Sequence, residues 1–349
     1  MINNSFFSTE ILRWFRENGR DLPWRETRDP YAIWLSEIIL QQTRIAQGWE
    51  YWERFMQTYP KVEDLAAASE DDVLKLWQGL GYYSRARNLH TAAKQIVALG
   101  DFPNTLEGIK SLKGVGDYTA AAIGSFAFDI PAAVVDGNVY RVLSRYFGID
   151  TPINSTQGKK EFAALAQSLL PASDAASYNQ GMMDFGAIQC TPQSPKCLLC
   201  PLAETCEALR CGRVEELPVK NKTVKVKTRH LSYIYIRCKS SAADDAGNSE
   251  PMVAIHRRGE GDIWQGLWEP YNVSDIKELP SFVKNPILLA KDVKHVLTHR
   301  ILLADFYLLE TESRPQLPDD YIWIRESEIE DYGVPRLIEI MLEKINPVE

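Results

Sequence analysis

The stretch Leu112-Lys113-Gly114-Val115-Gly116-Asp117-Tyr118-Thr119, followed by Val135-Asp136-Gly137-Asn138, decides the reading of this chain. Thr105 and Leu106 open a helical segment ending near Leu112, and Asp117 stands where it can cap a helix from Tyr118 to Phe128. Gly114 and Gly116 are expected to supply the positive φ angles of so short a turn, and they let a ligand approach the backbone. A helix start with free N–H groups beside two glycines suits a phosphate. Both glycines lie between helices, so context excludes a strand-turn-helix dinucleotide site. Taken alone, the hairpin fits an αα-corner that binds nothing equally well.

The 349 residues suffice for two domains, and 45% apolar with 25% charged residues is the composition of a globular protein. A net charge of −8 argues against a generally basic nucleic-acid coat, but a local basic groove depends on where Lys and Arg sit. Met1 to Phe7 has neither a basic start nor an apolar run of signal-peptide length. No uncharged stretch approaches the roughly 20 residues that span a bilayer. These features point to a cytoplasmic protein with no membrane part. Six cysteines, four of them clustered, then suggest metal rather than disulfides.

Residues 1–215 read as helices punctuated by Pro and Gly. Helical patterns cover Phe6–Asn18, Tyr31–Thr43, Gly48–Thr58, Ser69–Gln78, Ser84–Leu99 and Lys159–Leu170, and almost nothing alternates with period two. Composition changes near Leu217. Residues 218–239 carry seven Lys and Arg and no acid, the pattern of a solvated linker. Arg229–Arg237, Val253–His256, Ile301–Leu309 and Tyr321–Ile324 read as strands, Ser240–Glu250 as a mobile polar loop, and a helix starts at Pro335. The fold class is therefore an all-α half followed by a smaller α+β unit.

Cys190, Cys197, Cys200 and Cys206 are spaced C-x6-C-x2-C-x5-C, close enough to surround one metal centre. Structural zinc more often uses two separated cysteine pairs; one compact run suits an iron–sulfur cubane at least as well. Cys211 and Cys238 fall outside the pattern and read as ordinary thiols. On a helix, Glu37 has Ile33, Trp34 and Leu40 as neighbours, so its carboxyl faces apolar surroundings that raise its pKa, as a general acid requires. Asp136 follows an apolar run and precedes a helix near Gly137, where the helix dipole is expected to keep it ionised. Alone, Glu37 could be a rim residue and Asp136 a plain cap. Together they divide as acid and stabiliser do in glycosidic-bond cleavage. Trp24, Arg25, Trp34, Tyr82, Tyr83, Arg85 and Arg87 fall in the same half; such aromatics are ordinarily core, yet those beside Gly-rich turns can stack on bases.

These residues resemble adenine DNA glycosylases of the MutY family, in the helix-hairpin-helix superfamily that includes endonuclease III. The resemblance covers most of residues 6–215. It rests on Leu22-Pro23-Trp24-Arg25, Ser36-Glu37, Leu40-Gln41-Gln42-Thr43, Gly79 to Arg87, the hairpin, Val135 to Asn138 and the cysteine run. It implies a helix-hairpin-helix glycosylase domain over 1–215, with a six-helix lobe at about 23–129 and a cluster lobe of 1–22 with 130–215. A linker at 216–228 and a Nudix-like domain at 229–349 follow. It also implies a [4Fe-4S] cluster and a monomer acting on double-stranded DNA with A:8-oxoguanine or A:G mispairs, cytoplasmic or on the nucleoid of a bacterium.

Carried over by position, Glu37 resembles the acid that protonates the flipped adenine. Asp136 resembles the carboxylate that stabilises the sugar cation, with Asn138 in support. Gln42, beside Gln41, resembles the residue inserted where adenine leaves the stack. Trp24, Arg25, Leu40 and Gln180 map around the adenine, Tyr82 to a base contact, and Gly114, Val115 and Gly116 to phosphate. Tyr118 stands where lyase-type relatives carry an amine-bearing Lys, and a phenol cannot form that Schiff base. A monofunctional glycosylase follows, with an endonuclease III-like glycosylase/lyase using Lys113 as the alternative.

Trp264-Gln265-Gly266-Leu267-Trp268-Glu269-Pro270 is similar to the family's Nudix-like module, but the acidic Nudix box is missing, which counts against pyrophosphate hydrolysis. Where the family reads 8-oxoguanine through Phe-Ser-His, this chain has Leu297-Thr298-His299. Leu cannot stack as an aromatic ring does, so this departure bears on the reading of 8-oxoguanine and not on glycosylase activity. A catalytically silent iron–sulfur DNA-binding protein is opposed by the paired Glu37 and Asp136.

Overall fold

The computed structural model describes residues 4–221, 226–239, 250–273 and 279–346. Most of the expected loop at 240–250, and Lys222 and Lys225 of the expected linker, lie outside the described residues. Contacts divide the chain into two compact units, Met1–Ala67 with Thr91–Lys222, and Ala68–His90 with Thr223–Glu349.

The first unit is helical. Its helices are α1 (Asn4–Asn18), α2 (Pro30–Ile39), α3 (Ile45–Thr58) and α4 (Val62–Ala67). After α5 (Glu70–Leu76) in the second unit, and α6 (Ser84–Leu99), through which the division passes, come α7 (Leu106–Lys110), α8 (Asp117–Phe128), α9 (Gly137–Phe147), α10 (Thr156–Leu169), α11 (Ala175–Asp184) and α12 (Glu207–Arg210). Asp29 caps α2 by accepting from the Tyr31 N–H, with Pro30 at the first helical position. Every residue of α2 from Tyr31 to Ile39 is buried, so this helix runs through the core, packed against α8. Phe7, Ile11 and Trp14 of α1 pack with Val142, Leu143 and Phe162 in a second cluster. α11 passes into a π-helical turn, Phe185–Gln189, which leads to Cys190.

Four local expectations are corrected. α2 stops at Ile39, not Thr43; the chain turns at Leu40–Thr43, with Gln42 at φ +58°. Gly116, not Asp117, is the N-cap of α8; Asp117 lies inside the first turn and pairs with Lys110. Only Gly114 takes a positive φ, +79°, whereas Gly116 sits at −98°. The basic run at 218–239 is not all solvated linker, because its second part folds into a strand whose arginines are paired.

The second unit carries a seven-stranded mixed sheet with β1 (Lys227–Cys238) at its centre. β2 (Met252–Arg257), β3 (Trp268–Glu269), β4 (Tyr271–Val273), β5 (Ile287–Val296), β6 (Arg300–Thr311) and β7 (Tyr321–Arg325) complete it in the order β3-β2-β1-β6-β5, with β4 on β1 and β7 on β2. β1 and β6 run parallel, Lys227 opposite Arg300 through Cys238 opposite Thr311; the other pairs are antiparallel. Leu231, Tyr233 and Tyr235 point to one face beside α13 (Arg336–Ile345), and Ile234 and Ile236 to the other. Arg229 pairs with Asp262, and Arg237 with Glu326.

Candidate active site and cluster loop

A groove of about 810 Å³ in the first unit is lined by Glu37, Tyr118, Asp136 and Asn138, with Leu40, Gln41 and Gln42 along its wall. Residues that lie 99 positions apart in the chain therefore face one space. α2 brings Glu37, which is 6% exposed. Burial drives its carboxyl from 4.5 up to about 7; the hydrogen bond from Tyr118 opposes the rise, the Asp136 charge adds to it, and Arg25 opposes it. The Tyr118 hydroxyl donates to Oε2 of Glu37 at 2.9 Å. Burial, then the Glu37 and Asp136 charges, hold that phenol well above its usual range, so it stays an O–H.

Asp136 caps α9. Its Oδ1 accepts from the Val139 N–H at 2.8 Å and its Oδ2 from Asn138 Nδ2 at 2.8 Å. The approach to Asp136 is fixed by buried Asn179, which accepts from the Val134 N–H at 3.1 Å and donates to the Ala132 carbonyl at 2.8 Å. Burial acts on this carboxyl as well as the helix end. Burial raises the Asp136 carboxyl above its ordinary value, although the bonds from Val139 and Asn138 and the Arg141 charge pull it down.

Behind the groove lies a tighter cavity of about 50 Å³, whose walls include Glu37 together with Trp24, Arg25, Leu40 and Gln180. The four residues mapped around the base thus gather at one place. Trp24 is also held edge-on by Trp49 and Trp52 at 5.9 and 5.8 Å. Gly114 and Gly116 are exposed at the α7–α8 hairpin and Val115 is buried beneath them. An added Cβ at Gly116 would meet nothing within 4 Å, so that backbone is open to an approaching group.

In the second unit, Tyr82 and Thr298 share a hydroxyl hydrogen bond of 2.6 Å. Thr298 and His299 form the exposed two-residue turn between β5 and β6, closed by the Leu297 N–H donating to the Arg300 carbonyl at 2.8 Å. Leu297 packs against the sheet's core cluster.

Family models match three stretches: "HhH-GPD superfamily base excision DNA repair protein" over residues 35–171, "Iron-sulfur binding domain of endonuclease III" over 190–206, and "NUDIX domain" over 247–344. The adenine DNA glycosylase of Buchnera aphidicola subsp. Schizaphis graminum is 30% identical over 355 residues, 97% of this chain and 98% of that protein. The chain belongs to the adenine DNA glycosylase family. The mouse adenine DNA glycosylase is 43% identical over 226 residues; that match takes in 61% of this chain and 44% of the mouse protein's length. Among solved structures, a thermostable thymine-DNA glycosylase matches with a TM-score of 0.56 and 34% identity, covering 60% of this chain and 97% of that one. The protein is accordingly a base-excision DNA glycosylase, a hydrolase of N-glycosidic bonds acting on DNA.

The glycosylase's four clustered cysteines line one small pocket with Arg145, Leu209 and Val214, and none is in a disulfide. Burial pushes the Cys200 thiol up to about 12, and the three neighbouring sulfurs add to the rise. Four crowded thiols in an apolar pocket fit a group that brings its own positive charge. Among the described residues no three candidate ligands are gathered to hold a single ion; a cubane, with one thiolate per iron, does not require that. The glycosylase carries a [4Fe-4S] cluster, and the iron–sulfur match over residues 190–206 spans Cys190, Cys197, Cys200 and Cys206, the thiols that would hold it. When bound, it cross-links a segment with little regular structure.

Sequence reading missed Arg20, Asp184 and Arg141. Arg141 donates Nη2 to Asn138 Oδ1 at 2.8 Å and to the Gly186 carbonyl at 2.6 Å, and Nε to the Cys190 carbonyl at 2.8 Å. Its spacing of three from Asn138 on one helix was a usable signal. Arg20 and Asp184 are distant in sequence and left none. Among the described residues no helix is long and apolar enough to cross a membrane.

Proposed function

We propose that this chain, acting as a monomer, hydrolyses the N-glycosidic bond of adenine mispaired with 8-oxoguanine or guanine and leaves an abasic site in an uncut strand. The observation that carries the reading is the shared groove of Glu37 and Asp136. Extruding a base costs a few kcal/mol, least for a mispaired one. Gln42, held at positive φ on the groove wall, fills the space the adenine leaves. The purine enters between Trp24, Arg25, Leu40 and Gln180.

Glu37, with a pKa of about 7, remains substantially protonated at neutral pH and gives its proton to the base, which becomes a better leaving group. Positive charge then grows on the sugar. Asp136, held by hydrogen bonds from the Val139 N–H and the Asn138 amide, offsets that charge. Water completes the hydrolysis. Because Tyr118 offers a phenol and no amine, the sugar is not captured as a Schiff base. Lys113, the runner-up nucleophile, is exposed on the hairpin and is not among the residues lining the groove. Gly114, Val115 and Gly116 offer backbone N–H groups to phosphate. Tyr82 of the glycosylase domain and Leu297, Thr298 and His299 of the Nudix-like domain contact the base opposite, the Thr298 hydroxyl oriented by Tyr82.

The test is adenine release under single turnover from duplexes with A opposite G, 8-oxoguanine, C or T, with borohydride trapping in parallel. Release from the two purine mispairs without a trapped adduct is expected. Glu37→Gln and Asp136→Asn should each lower the rate by orders of magnitude while mismatch binding persists. Near-normal release by both variants ends the assignment.

A further inference from the structure

Asp184 is 0% exposed at the last position of α11, and its carboxylate receives two arginines. Arg25 reaches it as a fork, Nη1 to Oδ2 at 2.9 Å and Nη2 to Oδ1 at 2.8 Å. Arg20 donates its backbone N–H to Oδ2 at 2.9 Å and Nε to Oδ1 at 2.9 Å, with Nη2 also on Oδ1. Arg25 Nη1 further donates to the Arg20 carbonyl at 2.9 Å. A buried carboxylate saturated by two guanidiniums fixes both side chains. Arg20 and Arg25 are also walls of the small cavity that holds Glu37.

We propose that Asp184 is the positioning residue of the base pocket: its carboxylate locks Arg20 and Arg25 into the pocket wall and offsets part of their charge in front of Glu37. This rests on the reading of Glu37 as the acid. The ionisable groups bearing on Glu37 are Tyr118 from α8, Asp136 at the start of α9 and Arg25 from the turn after α1, with Arg20 beside it in the wall. An uncompensated guanidinium there would favour the charged form of Glu37 and strip its proton at neutral pH. Asp184 supplies the missing anion. Burial opposes its charge, yet the bonds from Arg25 and Arg20 hold its carboxyl below the usual range. The base thereby meets N–H donors in fixed places, while Glu37 meets a wall of reduced positive charge.

The experiment is single-turnover adenine release by the cluster-containing full chain between about pH 5 and 9, comparing wild type, Asp184→Asn and Asp184→Asn with Arg25→Gln. The wild-type rate should fall as pH rises through about 7. In Asp184→Asn the fall should begin on the order of 1 pH unit lower, a roughly tenfold extra loss on the alkaline side. Adding Arg25→Gln removes the exposed charge and should return the fall toward wild type, which repaired packing would not do. A folded Asp184→Asn enzyme with an unmoved profile overturns the proposal.

Removing one member of a buried ion group is strongly destabilising. If Asp184→Asn does not fold, Arg25→Gln alone decides. With one cation gone, the fall should move to higher pH, and an unmoved profile again overturns the proposal. A wild type silent on adenine overturns the glycosylase reading as well, whereas an active Asp184→Asn with the wild-type profile overturns only the role of Asp184.

Discussion

The hydroxyl of Tyr118 donates a 2.9 Å hydrogen bond to the carboxyl group of Glu37, joining the hairpin's outgoing helix to the buried helix α2. A donor to a carboxylate favours its charged form, so this bond works against the burial that raises Glu37. Tyr118→Phe should therefore push the alkaline fall of the adenine-release rate to higher pH, by on the order of 1 pH unit. Below that fall the rate should stay within a few-fold of wild type. A pH–rate series settles it, and a shift toward lower pH would contradict the geometry.

Burial of Glu37 also links stability to pH. Its folded pKa, about 7, stands above the ordinary 4.5, so the folded state binds the proton more tightly. The resulting stabilisation is full below about pH 4.5 and is lost as pH rises through about 7. Glu37→Gln, which never ionises, should match wild type near pH 4.5 and exceed it above pH 7 by up to about 3 kcal/mol. Thermal melts of both proteins across that range provide the measurement; a Glu37→Gln protein less stable than wild type at alkaline pH would refute the burial account.

How much of this was legible beforehand depended on whether a residue's role is set locally. Glu37 could be read from Ile33, Trp34 and Leu40 because a helix makes neighbours of positions three and four apart. Asp136 could be read as a cap because capping is local. The mixed sheet was half-visible: β1, β2, β6 and β7 stood out, whereas β5, with bulges between Leu288 and Ala290 and between Ala290 and Val293, broke the alternation that marks a strand. Asp117 misled because an acid beside a glycine looks like a cap; the helix begins one residue earlier and Asp117 is taken by Lys110. For Asp136 the helix end was legible but the opposing effect of burial, a tertiary property that raises its carboxyl, was not. Asp184 was invisible for the same reason, since its partners lie more than 150 residues away.

Arg145, 3% exposed on α9, holds the cluster loop from inside. It donates Nη1 to Cys190 Sγ at 3.4 Å and to the Thr191 carbonyl at 2.7 Å, Nη2 to the Pro192 carbonyl at 3.0 Å, and Nε to the Leu217 carbonyl at 3.1 Å. Arg145→Gln loses both the fork and the charge that faces the thiolates. Iron per chain and the visible absorption of the cluster should drop together with the melting temperature. Arg145→Lys keeps the charge but not the planar fork and should fall between the two. Full iron loading in Arg145→Gln would show that the loop closes without this anchor.

Gly186 lies in the π-helical turn after α11, and a Cβ placed there would come 2.6 Å from the Cβ and 2.9 Å from the carbonyl oxygen of Asn138. Neither side has slack. Asn138 is bound to Asp136 and to Arg141, and Arg141 in turn holds the Gly186 carbonyl. Gly186→Ala must therefore displace the start of α9, and with it the Asp136 carboxylate, although no reacting group has been removed. A misplacement near 1 Å costs about 100-fold in rate, while overpacking of this kind costs about 1–3 kcal/mol of stability. The expected protein is thus folded, loaded with iron, able to bind a mismatch and slow in adenine release by roughly one to two orders of magnitude. Single-turnover rates alongside a melt distinguish this from unfolding, and a wild-type rate in Gly186→Ala would show that the cap on Asp136 tolerates movement these contacts deny.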